Sequence, residues 1–176
     1  MRVCVFCSSS PTIVKKYLDL ATDLGSAIGA NKWELVSGGG HISMMGAVAR
    51  GVRAGGGRTI GVIPQSLVDI EFADNDNHEL HVVDSMRERK AMMEDMSDAF
   101  IALPGGPGTL EELFEIWVGR FLNFHNKPVI ILDPSGLYDP LRELLAHLER
   151  EGFVKPGQME LLHWSTTVEQ ALGLCL

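Results

Sequence analysis

The sequence predicts the α/β class, built as one doubly wound parallel sheet of about seven strands with helices on its faces. Three observations carry this. Short apolar runs rich in β-branched residues recur along the chain, each ends in small residues, and each is followed by a helical pattern. The runs at 2–7, 33–36, 59–63, 80–83, 99–103 and 128–132, with a weaker one at 160–163, give seven strands. Apolar residues at helical spacing predict helices over 13–30, 42–54, 85–96, 109–124, 138–150 and 167–172, with Gly and Pro at many of the breaks. At 176 residues and 45% hydrophobic content, the chain can bury one sizeable core and is too short for two ordinary α/β domains. A single domain over 1–176 is therefore expected.

In chain order, the first run, Met1-Arg2-Val3-Cys4-Val5-Phe6-Cys7, reads as a strand. It lacks the apolar length and the small-residue cleavage site of a signal peptide. No apolar stretch approaches the roughly 20 residues that span a bilayer, so a cytoplasmic protein is expected. Cys4 and Cys7 form a nominal C-x-x-C, but their odd separation sends the side chains to opposite faces of a strand. With no second pair to complete a zinc site, they read as core thiols, and Cys175 stands alone. The segment 65–78 has no clear period and several acids, so it is either a loose connection or a functional flap.

Three strand-to-helix connections carry clusters of small residues: Ser8-Ser9-Ser10, Ser37-Gly38-Gly39-Gly40 and Pro104-Gly105-Gly106-Pro107-Gly108-Thr109. In a parallel sheet they share the carboxyl edge, where ligands bind above the point at which strand order reverses. Glycine admits a phosphate close to backbone N–H groups, and a following helix N-terminus adds partial positive charge. Ser8, Gly39 and Gly40 join the third loop as candidate phosphate contacts. The same glycines would also serve tight turns alone. No G-x-x-x-x-G-K-[ST] is present, Ser43 stands where a dinucleotide fingerprint after Gly38 needs glycine, and Glu111 does so after Gly106-Pro107-Gly108. ATPase and dehydrogenase functions lose ground accordingly.

The helix at 85–96 opens with a capping box, Ser85 to Glu88, and places Met86, Arg89, Lys90 and Met93 on one stripe. Two cations on that face either meet an anion or snorkel past the methionines to solvent. The helix at 109–124 sets Leu110, Leu113, Phe114 and Trp117 on an apolar stripe, leaving Glu111, Glu112 and Glu115 off it. Thr109 to Glu112 also fits a capping box, so the pattern offers Glu112 both a capping and a catalytic role. The formal net charge of −8 opposes the phosphates of nucleic acid, yet a small phosphorylated ligand needs only a few local donors. His41 follows a glycine loop, and no histidine shows metal spacing. Met44, Met45, Met92, Met93 and Met96 suit packing or a dimer face.

The strings Met86-Arg87-Glu88-Arg89-Lys90 and Pro104-Gly105-Gly106-Pro107-Gly108-Thr109-Leu110-Glu111-Glu112 resemble those of the LOG, or "lonely guy", phosphoribohydrolases, long mislabelled lysine decarboxylases. The likeness extends through residues 4–11, through Ser37 to Gly40 with Met45-Gly46, through Gly61-Val62-Ile63-Pro64 and through Lys127-Pro128-Val129, nearly the whole chain. It implies a Rossmann-like homodimer that releases cytokinin base from its riboside 5′-monophosphate with no metal or organic cofactor. On these motifs Arg89 and Glu112 match the family's catalytic pair. Glu71, Lys90, Gly105, Gly106, Pro107, Gly108, Thr109 and Glu111 match substrate-contacting positions, as Arg89 does too. Pro107 stands where many relatives carry Tyr, Arg87 where His is frequent and Ser8 where Gly is. A lysine decarboxylase would need an activated Lys and a larger scaffold for pyridoxal. A non-catalytic carrier of a phosphorylated pterin, like the molybdenum-cofactor carriers, is the alternative from another class.

Overall fold

The computed structural model describes residues 1–68 and 72–176. Its regular elements are β1 (Arg2–Phe6), α1 (Lys15–Ala30), β2 (Glu34–Ser37), α2 (Ser43–Ala54), β3 (Arg58–Pro64), β4 (Glu79–Val83), α3 (Met86–Asp95), β5 (Ala99–Ala102), α4 (Pro107–Phe121), β6 (Val129–Leu132), α5 (Asp139–Arg150), β7 (Leu162–Ser165) and α6 (Val168–Gly173). Short 3-10 turns at Gln65–Leu67 and Met159–Leu161 complete the set.

Alternation along β1 divides the core in two. Val3 and Val5 pack with α1, α2 and α6, whereas Cys4 and Phe6 pack with α3, α4 and α5 on the other face. Both faces of the sheet are therefore covered, as an all-parallel sheet requires. Full burial of each aliphatic or Phe side chain in these layers contributes roughly 1.5–3 kcal/mol relative to exposure. The buried Trp117 ring satisfies its polar atom by donating Nε1–H to the Gln158 carbonyl at 2.9 Å.

The strands of the described residues form one parallel sheet in the order β4-β3-β2-β1-β5-β6-β7. The chain winds outward from β1 to β4, returns to β5 beside β1, and winds out the other way. Strand order therefore reverses between β1 and β5, which opens a crevice above their carboxyl ends. The expected seven-stranded doubly wound α/β fold is present. Helices α1 and α2 lie backbone to backbone: a Cβ on Gly25 would sit 2.2 Å from the Val48 carbonyl oxygen, and one on Gly51 2.6 Å from that of Thr22.

Some boundaries differ from the periodicity. Helix α1 starts at Lys15 rather than 13, because Ser8 and Ser10 hydroxyls accept from the amides of Ser10 (3.1 Å) and Thr12 (3.4 Å) and hold the chain out of helix. Strand β7 begins two residues late, after the 3-10 turn, where Leu162 pairs with Val129. Helix α4 begins two residues early. Pro107 occupies its first turn, where a missing N–H costs nothing, and Gly106 is the cap residue. This overturns the capping box expected of Thr109 and Glu112: Thr109 is already inside the helix and buried, and Glu112 lies too far along to be its reciprocal acid. The Ser85 cap does form, accepting from the Glu88 amide at 3.2 Å, while Glu88 accepts from the Asp84 amide at 2.9 Å.

Candidate active site

The reversal between β1 and β5 leaves a cavity of about 350 Å³ at the carboxyl edge. Three loops line it as expected: Ser8 to Ser10 after β1, Gly38 after β2 and Gly106 to Thr109 after β5. Met86, Arg89 and Met93 enter from α3, Glu111 and Glu112 from α4, and Met45 and Leu67 from α2 and the turn after β3. The cavity thus has an amide-rich end and a thioether-lined side.

The amide-rich end is the start of α4. The first bond within this helix runs from the Leu110 amide to the Gly106 carbonyl at 3.1 Å, so the N–H groups of Gly108 and Thr109 have no acceptor inside the helix. Pro107 has no N–H to offer. A Cβ placed on Gly106 or Gly108 would meet nothing within 4 Å. Neither glycine is demanded by internal packing, and both lie open on the cavity wall where a ligand would come close. Gly105 differs: its Cβ would fall 2.1 Å from Thr109 Oγ1, inside the protein. Gly108→Ala is accordingly expected to raise thermal stability slightly, since Ala exceeds Gly in helix propensity by about 0.8–1 kcal/mol, while its methyl, set on the cavity wall, weakens ligand binding. Thermal melts and KM measured on the same preparation check for these opposite signs.

Arg89 is buried, and it donates from Nη2 to the Gly38 carbonyl at 2.9 Å and from Nη1 to Met86 Sδ at 3.6 Å. It does not snorkel. A Cβ on Gly38 would lie 1.9 Å from Arg89 Nη2, so the glycine is what admits the guanidinium to this seat. Lys90 finds its anions within the protein: its ammonium meets Glu111 at 2.5 Å and Glu115 at 2.7 Å. Those hydrogen bonds, Glu111 first, hold it above the ordinary lysine pKa. Lys90 does not line the cavity, and Glu111 is partly occupied in bridging α4 to α3.

Glu112 is half-buried on the cavity wall. It is felt by two thiols on β1 and just beyond. Burial pushes Cys4 well up, with Glu112 adding and Ser97 and Arg89 opposing. Burial and then Glu112 push Cys7 up as well. Cys7 lines the cavity but stays a neutral thiol, a poor nucleophile.

Gly39 and Gly40 are not among the lining residues. Gly39 has φ +78°, and its carbonyl accepts the Asp74 amide at 2.8 Å. Gly40 bridges to Ala73, and Arg53 pairs with the buried Asp74 at 3.0 Å. These contacts fasten part of the 65–78 segment to the Gly38 loop and to α2. Glu71 lies outside the described residues. Among the described residues no cluster of His, Cys, Asp or Glu has the arrangement of a metal site, and no helix is long and apolar enough to cross a membrane. Sequence reasoning did not single out Gly38 as a site residue. The signal for Gly38 was its position directly at the end of β2.

A family model described as "Possible lysine decarboxylase" matches residues 45–175. The chain belongs to this family. A curated relative, the cytokinin riboside 5′-monophosphate phosphoribohydrolase of Mycobacterium tuberculosis, is 51% identical over 98% of this chain and 92% of its own length. The phosphoribohydrolase LOG3 of Arabidopsis thaliana is 41% identical over 96% of this chain and 79% of its own. The LOG resemblance drawn from the two motifs is thereby borne out. Among solved structures, the molybdenum cofactor binding protein of Rippkaea orientalis aligns with TM-score 0.75 at 24% identity, covering 98% of this chain and 93% of its own. At that identity the likeness speaks to the Rossmann-like fold alone.

Proposed function

We propose that the protein is a phosphoribohydrolase that cleaves the N-glycosidic bond of an N6-substituted adenine (cytokinin) riboside 5′-monophosphate, and of AMP, releasing free base and ribose 5-phosphate. The observation that carries this is one cavity in which the open amides of α4, the buried Arg89 and the half-buried Glu112 converge. The near full-length phosphoribohydrolase relatives support it.

The phosphate sits on the α4 N-terminus, where the helix dipole is worth about 0.3–1 kcal/mol to an exposed anion, flanked by Ser8. Arg89 fixes phosphate or ribose, so that the anomeric carbon faces Glu112. The C1′–N9 bond breaks with its electron pair leaving on the base. Glu112 stabilises the oxocarbenium character at C1′ and takes a proton from the attacking water, whose oxygen forms the new C1′–O bond. The departing base gains a proton from solvent, and Glu112 gives up to solvent the one it accepted, which restores its carboxylate. Water is the only co-substrate in this scheme. Lys90 shapes the site through Glu111, and Glu71 is retained as a substrate contact. Residues 1–176 act as one domain in the cytoplasm, as a homodimer for which the exposed Val118, Leu122 and Phe124 offer an apolar face.

Incubation with N6-isopentenyladenosine 5′-monophosphate, its riboside and AMP, followed by chromatography of free base, tests the proposal. Base from the monophosphates only is the expected result. Tight retention of a phosphorylated ligand with no base released from any of them would instead favour a carrier.

A further inference from the structure

A buried side chain outside the cavity contacts the loop between β5 and α4. Tyr138 is buried, at 4% exposure, and is absent from the cavity lining. Its hydroxyl lies 3.1 Å from the Leu103 carbonyl and 3.2 Å from the Gly105 carbonyl, on either side of Pro104. The tyrosine is itself seated by the buried Asp133, whose Oδ2 accepts the Tyr138 amide at 2.7 Å. Asp133 Oδ1 accepts from the Ser135 amide at 3.1 Å and hydroxyl at 2.6 Å, and the Asp133 amide donates to Ser165 at 3.0 Å. The chain of contacts therefore runs from the end of β6 to the phosphate loop.

We propose that Tyr138 is a positioning residue for phosphate recognition, fixing the Gly105–Gly106 peptide so that its N–H is available to the ligand. The inference rests on the phosphate-loop reading above and deepens it. In a trans peptide, C=O and N–H point in opposite directions, and no peptide here is cis among the described residues. The phenol's single proton is shared between the Leu103 and Gly105 carbonyls, and by holding the Gly105 carbonyl on one side it turns the Gly106 N–H to the other. Pro107 makes this matter more, because it removes the next amide and leaves Gly106, Gly108 and Thr109 as the donors of the loop. Burial, with Asp133 adding, pushes the phenol up to about 12, so it remains a donor at any working pH.

Tyr138→Phe keeps the ring and removes the grip. Affinities for AMP and adenosine, taken before appreciable turnover, are expected to diverge: AMP weakens about tenfold, the scale of one lost hydrogen bond to a charged group, and adenosine changes less than twofold. Amide exchange at Gly106 in the unliganded variant is expected to accelerate while that of β5 and β6 stays as in the parent. Equal losses for AMP and adenosine, or no loss for either, would overturn the proposal. If the parent protein bound AMP no better than adenosine, the phosphate reading itself would fall, and unchanged Gly106 exchange in Tyr138→Phe would separately overturn the role of the phenol.

Discussion

Glu112→Gln is expected to lower kcat for base release by about 10²–10⁴-fold, the range typical of a lost general acid or base, with KM and melting temperature near those of the parent. The amide preserves shape and hydrogen-bonding capacity but neither stabilises positive charge at C1′ nor accepts the proton of water. The alternative explanation for this acid, helix capping, is removed by the start of α4 at Pro107 with Gly106 as its cap. The neighbouring rival for covalent chemistry is removed too, since burial and Glu112 itself keep Cys7 protonated. Cys7→Ala should therefore retain activity in the same assay. A Glu112→Gln enzyme with unchanged kcat would assign water activation to another group, and an active Glu112→Gln with an inactive Cys7→Ala would exchange their roles.

The fold was legible because its signals are local and repeated. Buried strands such as Val129–Leu132 read as continuous apolar runs, and the helix following each run carries a single stripe. Boundaries failed where a short-range polar contact competes with the helix, as at Ser8 and Ser10, or where Pro107 pre-sets the first turn. Within the site, motif and stripe point to the third loop, Arg89 and Glu112, and the cavity brings them together. What sequence could not give was the division of labour within one stripe. Arg89 and Lys90 look equivalent by spacing, yet one is seated under Gly38 and the other is held by Glu111 and Glu115. The glycines of the second loop behave likewise: Gly38 serves Arg89, while Gly39 and Gly40 fasten the neighbouring segment. Such differences depend on partners distant in sequence. Tyr138, acting across more than 30 residues on a carbonyl, carries no motif at all.

Arg89→Ala and Gly38→Ala are expected to fail in the same way, each losing at least about 10²-fold in kcat/KM, as misplacement of a positioning group by about 1 Å can do. No positive φ constrains Gly38, so an alanine there is not strained by backbone conformation. Its methyl would meet the far end of Arg89, Nη2 at 1.9 Å, and that flexible end is what gives way. Gly38→Ala should thus stay folded while the guanidinium leaves both its carbonyl partner and its place in the cavity. In the double variant the clash no longer exists, because Arg89 has become alanine. Activity of Arg89→Ala/Gly38→Ala should therefore match that of Arg89→Ala alone, the non-additivity expected of two residues acting as a unit. If the two losses multiplied instead, Gly38 would serve the substrate directly, through its own approach to the ligand, and not through Arg89.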